Sequence, residues 1–180
     1  MLEELIKTQM QVSKGNQMTE EEYRYIASFL GDKNFLVFGT GYDSNIWRFA
    51  NKGGVTLFLE HNTEWIKEEK DILKVKYSTK RIQYKQLLEE YKRGQFNNLV
   101  MDLPDSVNNI NWDYIFVDSP EGYSDDTHGR MQSIYMASIL SSEITEVFVH
   151  DCHRVVEDIY TNEMFSKCIK QLTTLRHLKK

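Results

Sequence analysis

The sequence predicts an α/β protein with a mostly parallel open sheet, helices on both faces and a short C-terminal hairpin. Three observations carry this expectation. Four short apolar runs, Phe35–Phe38, Val55–Leu59, Tyr114–Val117 and Val147–Val149, are continuous rather than alternating, the mark of strands buried on both faces. Helical patterns separate them, and alternating strand and helix points to a sheet wound with crossover helices. Each run also stops at a chemically active group: Gly39-Thr40-Gly41, Glu60, Asp118 and His150-Asp151.

The elements follow in order. Met1–Val12 forms a short amphipathic helix through Leu2, Leu5, Ile6 and Met10, and Ser13–Met18, with Gly15 and Asn16, is a loop. Thr19 opens a second helix with a capping box, Glu22 reaching back. Its stripe is Tyr23, Ile26, Ala27 and Leu30, the spacing of one helical face, and Gly31 ends it. Short helices are expected over Asn45–Asn51 and Thr63–Lys70, with a weaker fifth strand at Ile72–Tyr77. Gln83–Lys92 places Tyr84, Leu87, Leu88 and Tyr91 together; Arg130–Leu140 does the same with Met131, Ile134, Tyr135 and Ser138. Val155–Phe165 is the last helix, and the hairpin lies around Cys168–Leu178. Trp47, Trp65 and Trp112 fall within elements and are expected in the core. No linker or repeat interrupts the chain. Its 180 residues fit one domain of roughly 100–200, with an N-terminal helical segment over 1–31 and a Rossmann-like core over 34–178.

Composition narrows the function classes. With 22 basic against 27 acidic residues the formal charge is −5, which argues against a nucleic-acid partner, because phosphate binding rests on clustered Lys and Arg. Two cysteines, Cys152 and Cys168, make neither a disulfide framework nor a metal-ligand spacing. No apolar run approaches the roughly 18 residues of a membrane span. The N-terminus, with Glu3 and Glu4, lacks the order of a signal peptide. The expectation is a soluble, cytoplasmic protein.

In open α/β sheets, ligands bind outside the carboxyl ends of the strands, so the four strand ends converge on one crevice. Gly39-Thr40-Gly41-Tyr42-Asp43-Ser44 follows a strand and opens a helix, the context of a nucleotide-binding glycine loop. Gly41 lets a ligand approach bare backbone, and Asp43 or Ser44 can cap the helix. Glu60 stands 21 positions after Gly39, close to the roughly 20 expected of a carboxylate that grips ribose hydroxyls. Ser44 replaces the third glycine of the dinucleotide fingerprint, and no second nucleotide-binding half follows the fourth strand. S-adenosylmethionine therefore suits the site better than NAD. No Lys-Ser/Thr pair follows the glycines, which excludes a P-loop.

The reactive half is Asp118-Ser119-Pro120-Glu121-Gly122-Tyr123 with His150-Asp151-Cys152-His153-Arg154. Methyl transfer to a hydroxyl needs alignment and a base. Asp118 is the first choice for the reactive carboxylate, with Asp151 and His150 or His153 assisting. Asp118, Asp151 and His153 also make a ligand set for a divalent metal, and Asp151 alternatively caps the following helix. Arg130 and Arg154 are candidates for clamping a substrate carboxylate. Asp125, Asp126 and His128 read as solvated loop residues, with closure of that loop over a substrate as the alternative.

Taken together, GTGYDSNIW, GGVTLFLE, WDYIFVDSPEGY, HGRMQSIY and FVHDCHRVVED resemble the glucuronoxylan 4-O-methyltransferase family, over about Asn34 to Leu178. The resemblance implies a class I methyltransferase fold, S-adenosylmethionine as donor and a sugar hydroxyl as acceptor. By position it implies that Gly39, Gly41 and Glu60 hold the donor and that Tyr77 and Thr79 lie by its adenine. It likewise places Asp118, His150, Asp151 and Arg154 at the reactive strand ends, and Gly129, Arg130 and Met131 at a helix entry. His153 stands where the family tends to carry Asp or Asn. Two rivals stand beside a sugar O-methyltransferase: a non-catalytic adenosine-ligand-binding scaffold in glycan assembly, and a catechol-type small-molecule O-methyltransferase.

Overall fold

A computed structural model describes residues 1–12, 18–66 and 69–180. Its centre is a seven-stranded sheet. In chain order the strands are β1 (Asn34–Phe38), β2 (Val55–Glu60), β3 (Ile72–Lys74), β4 (Tyr114–Val117), β5 (Glu146–Val149), β6 (Lys167–Gln171) and β7 (Arg176–Lys179). They lie in the order β3-β2-β1-β4-β5-β7-β6. β1 pairs in parallel with β2 and β4, β2 with β3, and β4 with β5. β7 runs antiparallel to both β5 and β6. The chain winds outward from β1 to β3, then crosses back to place β4 beside β1. That reversal opens a crevice at the carboxyl ends of β1 and β4.

Alternate residues of the central strands feed two cores. Leu36, Phe38, Ile115, Val117, Val147 and Val149 pack with α4 (Tyr84–Lys92), α6 (Met131–Leu140) and α7 (Val155–Met164). Phe35, Val37, Phe116 and Phe148 face α1 (Leu2–Val12), α2 (Glu20–Ala27) and α3 (Ser44–Ala50). Burial on both faces is why these runs are apolar throughout. β6, exposed along its whole length, has no such pattern.

The capping box at Thr19 is present: the Thr19 N–H donates to Glu22 Oε2 (2.7 Å) and the Glu22 N–H to Thr19 Oγ1 (3.2 Å). The other carboxylate oxygen of Glu22 accepts the N–H groups of Thr174 (2.7 Å) and Leu175 (2.9 Å) in the turn between β6 and β7. One buried side chain thus closes a helix start and ties it to the hairpin.

Several expectations need correction. Thr63–Trp65 form a turn, and no helix forms in the described part of Thr63–Lys70, residues 67 and 68 lying outside it. The expected loop at Ser13–Met18 falls mostly on residues 13–17, outside the described residues. α2 stops at Ala27 with Ser28 as its cap, before Leu30 and Gly31. The fifth strand ends at Lys74, and a short helix α5 (Asp105–Asn108) has no counterpart in the sequence pattern. Trp47 and Trp112 are core residues. Trp65 is not: it is half-buried, edge-on to Tyr42 at 4.9 Å.

Candidate active site

The crevice holds a cavity of about 390 Å³, within the range of small-molecule sites. It is lined by Gly39, Thr40, Gly41, Glu60, Asp118, His150 and Asp151 from the four strand ends, joined by Tyr42, Asp43, His61, Asn62, Trp65, Glu121 and Tyr123. Gly39 leaves β1 at φ +113°, and a Cβ there would stand 2.7 Å from Ser119 Cβ, so only glycine fits between the β1 and β4 exits. The Gly41 N–H donates to Ser44 Oγ (3.0 Å). Ser44 therefore braces the loop from within and does not line the cavity, while Asp43 occupies the N-cap position of α3 without a side-chain capping bond.

Glu60 is buried at the end of β2. Its Oε2 accepts from the Thr40 N–H (2.8 Å) and hydroxyl (3.0 Å), and its Oε1 from the N–H groups of His61 (2.8 Å) and Asn62 (2.7 Å). Burial alone would raise its carboxyl, but these donors and the His61 ring hold it below the usual range. His61 lies between two acids, Nδ1 3.1 Å from Glu60 and Nε2 3.1 Å from Glu121. Its basicity is raised, first by Glu60. Tyr77 and Thr79 do not line the cavity. Tyr77 packs edge-on against His61 (5.2 Å), and Thr79 is buried with its N–H and hydroxyl turned to Gln132. Asp43 does face the cavity, and burial followed by the charge of Asp118 pushes its carboxyl up to about 7.

At the other wall, Asp118 Oδ1 accepts from His150 Nδ1 (2.8 Å) and from an Arg130 terminal nitrogen (3.1 Å). The same nitrogen lies 2.8 Å from Asp151 Oδ2, which Arg154 also approaches at 3.0 Å. Desolvation opposes both charges. The imidazole and guanidinium nevertheless hold the Asp118 carboxyl low, and Asp118 holds the His150 ring high. Asp151 sits at φ +63°, a left-handed conformation that Asp tolerates better than most residues. It serves Arg130 and Arg154 rather than capping α7, whose N-cap is Arg154.

Two expected roles change. Arg130 is 4% exposed and spends its donors internally, on the carbonyls of Pro120 (3.1 Å), His150 (2.8 Å) and Asp118 (2.8 Å) besides the two carboxylates. It clamps the strand ends together and has no fork left for a substrate. His153 is exposed and outside the first cavity. Among the described residues, the three ligand-type side chains within 4.8 Å of one another are Asp118, His150 and Asp151, so His150 rather than His153 joins the two carboxylates as a metal-capable group. His153 lines a second cavity of about 510 Å³ with Arg81, Gly122, Val155 and Thr174. Tyr123, His150, Asp151 and Arg154 line both. Glu157, buried beneath them, has no hydrogen-bond partner for either oxygen among the described residues and lies 4.0 Å from Arg130 Nε; burial raises its carboxyl.

Of the residues lining the two cavities, His61 and Arg81 went unnoticed in the sequence, while Asp43 and Trp65 were expected as a cap and as core and Tyr123 only as part of the loop after β4. His61 had a signal, its place beside Glu60. Arg81 had none, because the 3₁₀ turn Arg81–Gln83 reaches the site through its docking on Thr127 and Asp125.

Comparison with known proteins agrees with this geometry. The chain is 35% identical to glucuronoxylan 4-O-methyltransferase 1 of Arabidopsis thaliana, over 89% of this chain and 67% of that protein. It is 34% identical to arabinogalactan O-methyltransferase 2 of the same plant, over 76% of this chain and 56% of that one. It thus spans two thirds or less of the length of these relatives. Among solved structures, a Staphylococcus aureus protein provisionally assigned as a caffeoyl-CoA O-methyltransferase matches with a TM-score of 0.56 and 14% identity, over 98% of this chain and 91% of that one. The MycE methyltransferase of mycinamycin biosynthesis matches at 0.54 and 10%, over 99% and 54%. The fold is that of class I methyltransferases. The sequence family described as IRX15/IRX15L/GXM covers residues 22–178, most of the chain, and the chain belongs to that family.

Proposed function

We propose that the chain is an S-adenosylmethionine-dependent O-methyltransferase acting on a sugar hydroxyl of a glycan or glycoconjugate, as one unit over residues 1–180. The observation that carries this reading is the Asp118–His150 pair. Asp118 lines the first cavity with the glycine loop, and His150 lines both cavities. Relatives named for glucuronoxylan and arabinogalactan support a glycan acceptor.

The first cavity fits the donor. Asp43, Glu60, Asp118, Glu121 and Asp151 face Arg130 and Arg154 there, an acidic balance that favours a sulfonium ligand. When bound, S-adenosylmethionine supplies a methyl group whose bond to sulfur breaks toward sulfur as the bond to oxygen forms. Gly39, Thr40 and Gly41 give bare backbone against it, and Glu60 serves its ribose. His150 accepts the proton of the sugar hydroxyl at Nε2, with Nδ1 fixed by Asp118, the arrangement of a base and its orienting carboxylate. The first-choice role of Asp118 thereby becomes that of orienter. Arg130 holds the two strand ends at fixed separation. If the reaction uses a divalent cation, Asp118, His150 and Asp151 are the ligands, and they suit Mg²⁺ or a softer ion. Two unpaired cysteines, Cys168 exposed, suit a reducing compartment, and we infer a cytoplasmic location.

The test is Asp118→Asn, assayed with isotopically labelled donor against oligosaccharides and catechols. Turnover on sugars should fall by ~10²–10⁴-fold, while calorimetry shows S-adenosylhomocysteine still bound. Methylation of catechols alone by the unaltered protein would defeat the sugar reading.

A further inference from the structure

Four donors already occupy the Glu60 carboxylate, two from Thr40 and the N–H groups of His61 and Asn62. A carboxylate has about four lone-pair sites, which leaves none for the His61 ring. Its Nδ1 nevertheless lies 3.1 Å from Glu60 Oε1, buried and without a well-directed hydrogen bond among the described residues. The other ring nitrogen, Nε2, lies 3.1 Å from Glu121 Oε2 in the loop after β4. A neutral imidazole carries one N–H and one lone pair, so either tautomer would aim a lone pair at an anion. The imidazolium suits both ends. Tyr77 at 5.2 Å and His128 at 5.5 Å stand edge-on to the ring, and His128 turns Nδ1 to the Thr79 carbonyl (2.9 Å). Ser119, Glu121 and Tyr123 line the first cavity with Glu60 and His61. That loop is fixed at Pro120 by Arg130 and farther along by the 3₁₀ turn, through Asp125 and Thr127. Glu121 lies between these anchors, and His61 ties its side chain to the end of β2.

Building on the reading of the first cavity as the S-adenosylmethionine site, we propose that His61, as an imidazolium, is a positioning residue for the donor. It straps Glu121 to Glu60 and so keeps the loop after β4 against the bound nucleoside. A neutral ring keeps one acid and lets the other go. Glu121 is the one released, because Glu60 is fixed by its four other donors. The cavity wall then loosens and the ligand is held less tightly. Glu60 first raises the basicity of the ring, against burial, and Glu121 adds to it. The strap is therefore closed at the ordinary histidine value of about 6.5 and opens as pH rises through the folded value. By linkage, the adenosine ligand raises the proton affinity of the ring by the factor by which the proton raises the affinity for the ligand. Asp43 must be told apart from His61, since it lines the same cavity and its carboxyl, pushed up to about 7, titrates nearby.

The experiment is calorimetry of the full chain with S-adenosylhomocysteine, from about pH 6 upward. The affinity should fall about tenfold as pH rises, the worth of one charge-assisted hydrogen bond. Glu121→Gln leaves Glu60 and the glycine loop as they are, and it should bind at the weaker level throughout, with no response to pH. Asp43→Asn should keep the response. In a nuclear magnetic resonance titration, the His61 ring should hold its proton to higher pH with S-adenosylhomocysteine bound than without, which a merely structural histidine would not do. Four results overturn the proposal and leave the donor site standing: an affinity independent of pH, a response kept by Glu121→Gln, a response lost in Asp43→Asn, or a His61 titration indifferent to the ligand. Absence of binding at every pH overturns the donor site and the strap together.

Discussion

Replacing Arg130 by Lys keeps the charge and removes the fork, which isolates what the guanidinium geometry does. Arg130 meets three carbonyls on two chain segments, at 2.8 to 3.1 Å, and two carboxylates. An ammonium offers three donors from one point. It can stay with Asp118 and Asp151 but cannot also reach the carbonyls of Pro120 and His150. Two buried acceptors lose their partners at about 1–3 kcal/mol each, while the charged pairing with the two carboxylates is kept. The expected loss is about 3–4 kcal/mol, and with a urea slope of about 2 kcal/mol/M the midpoint falls by roughly 1.5–2 M. Urea unfolding followed by circular dichroism measures it, with Arg24→Lys, an exposed arginine, as the control that leaves the midpoint unchanged. A midpoint within about 0.3 M of the parent's would refute the reasoning, because the strand ends would then be held by packing alone.

Gly39→Ala places a side chain at φ +113° against Ser119, at a cost of about 1–3 kcal/mol in strain. S-adenosylhomocysteine should bind more weakly, and an unaltered dissociation constant in calorimetry would show that the loop tolerates a Cβ. His61, whose pKa is raised from 6.5 by Glu60 first and Glu121 after, binds protons more tightly folded than unfolded. Its contribution to stability is full below 6.5 and fades as pH rises through the folded value. The stability gap between the parent and His61→Gln should therefore narrow as pH rises above about 6.5; a gap that widens would reverse the assignment.

Three central strands were legible because burial on both faces leaves few polar positions, so β1, β4 and β5 read as apolar runs, while β2 carries Thr56 and an exposed Val55. Their terminal residues were legible too, since a strand end in a parallel sheet has one destination. Side-chain direction was not. Arg130 lies in the expected place, but nothing local says that its fork turns inward onto three carbonyls. His150 and His153 stand on either side of Asp151 in sequence, yet Asp151 at φ +63° turns the chain so that one ring meets Asp118 and the other faces solvent. Trp65 misled for a related reason: large aromatics usually mean core, and this one lines the cavity beside Tyr42. Arg81 depends on a tertiary contact with no spacing of its own.

Glu22 divides its two oxygens between the start of α2 and the turn between β6 and β7. Segments some 150 positions apart therefore share one opening event. In hydrogen exchange, the amides of Thr174 and Leu175 should lose protection together with that of Thr19, as one cooperative unit, and Glu22→Gln should release all three at once.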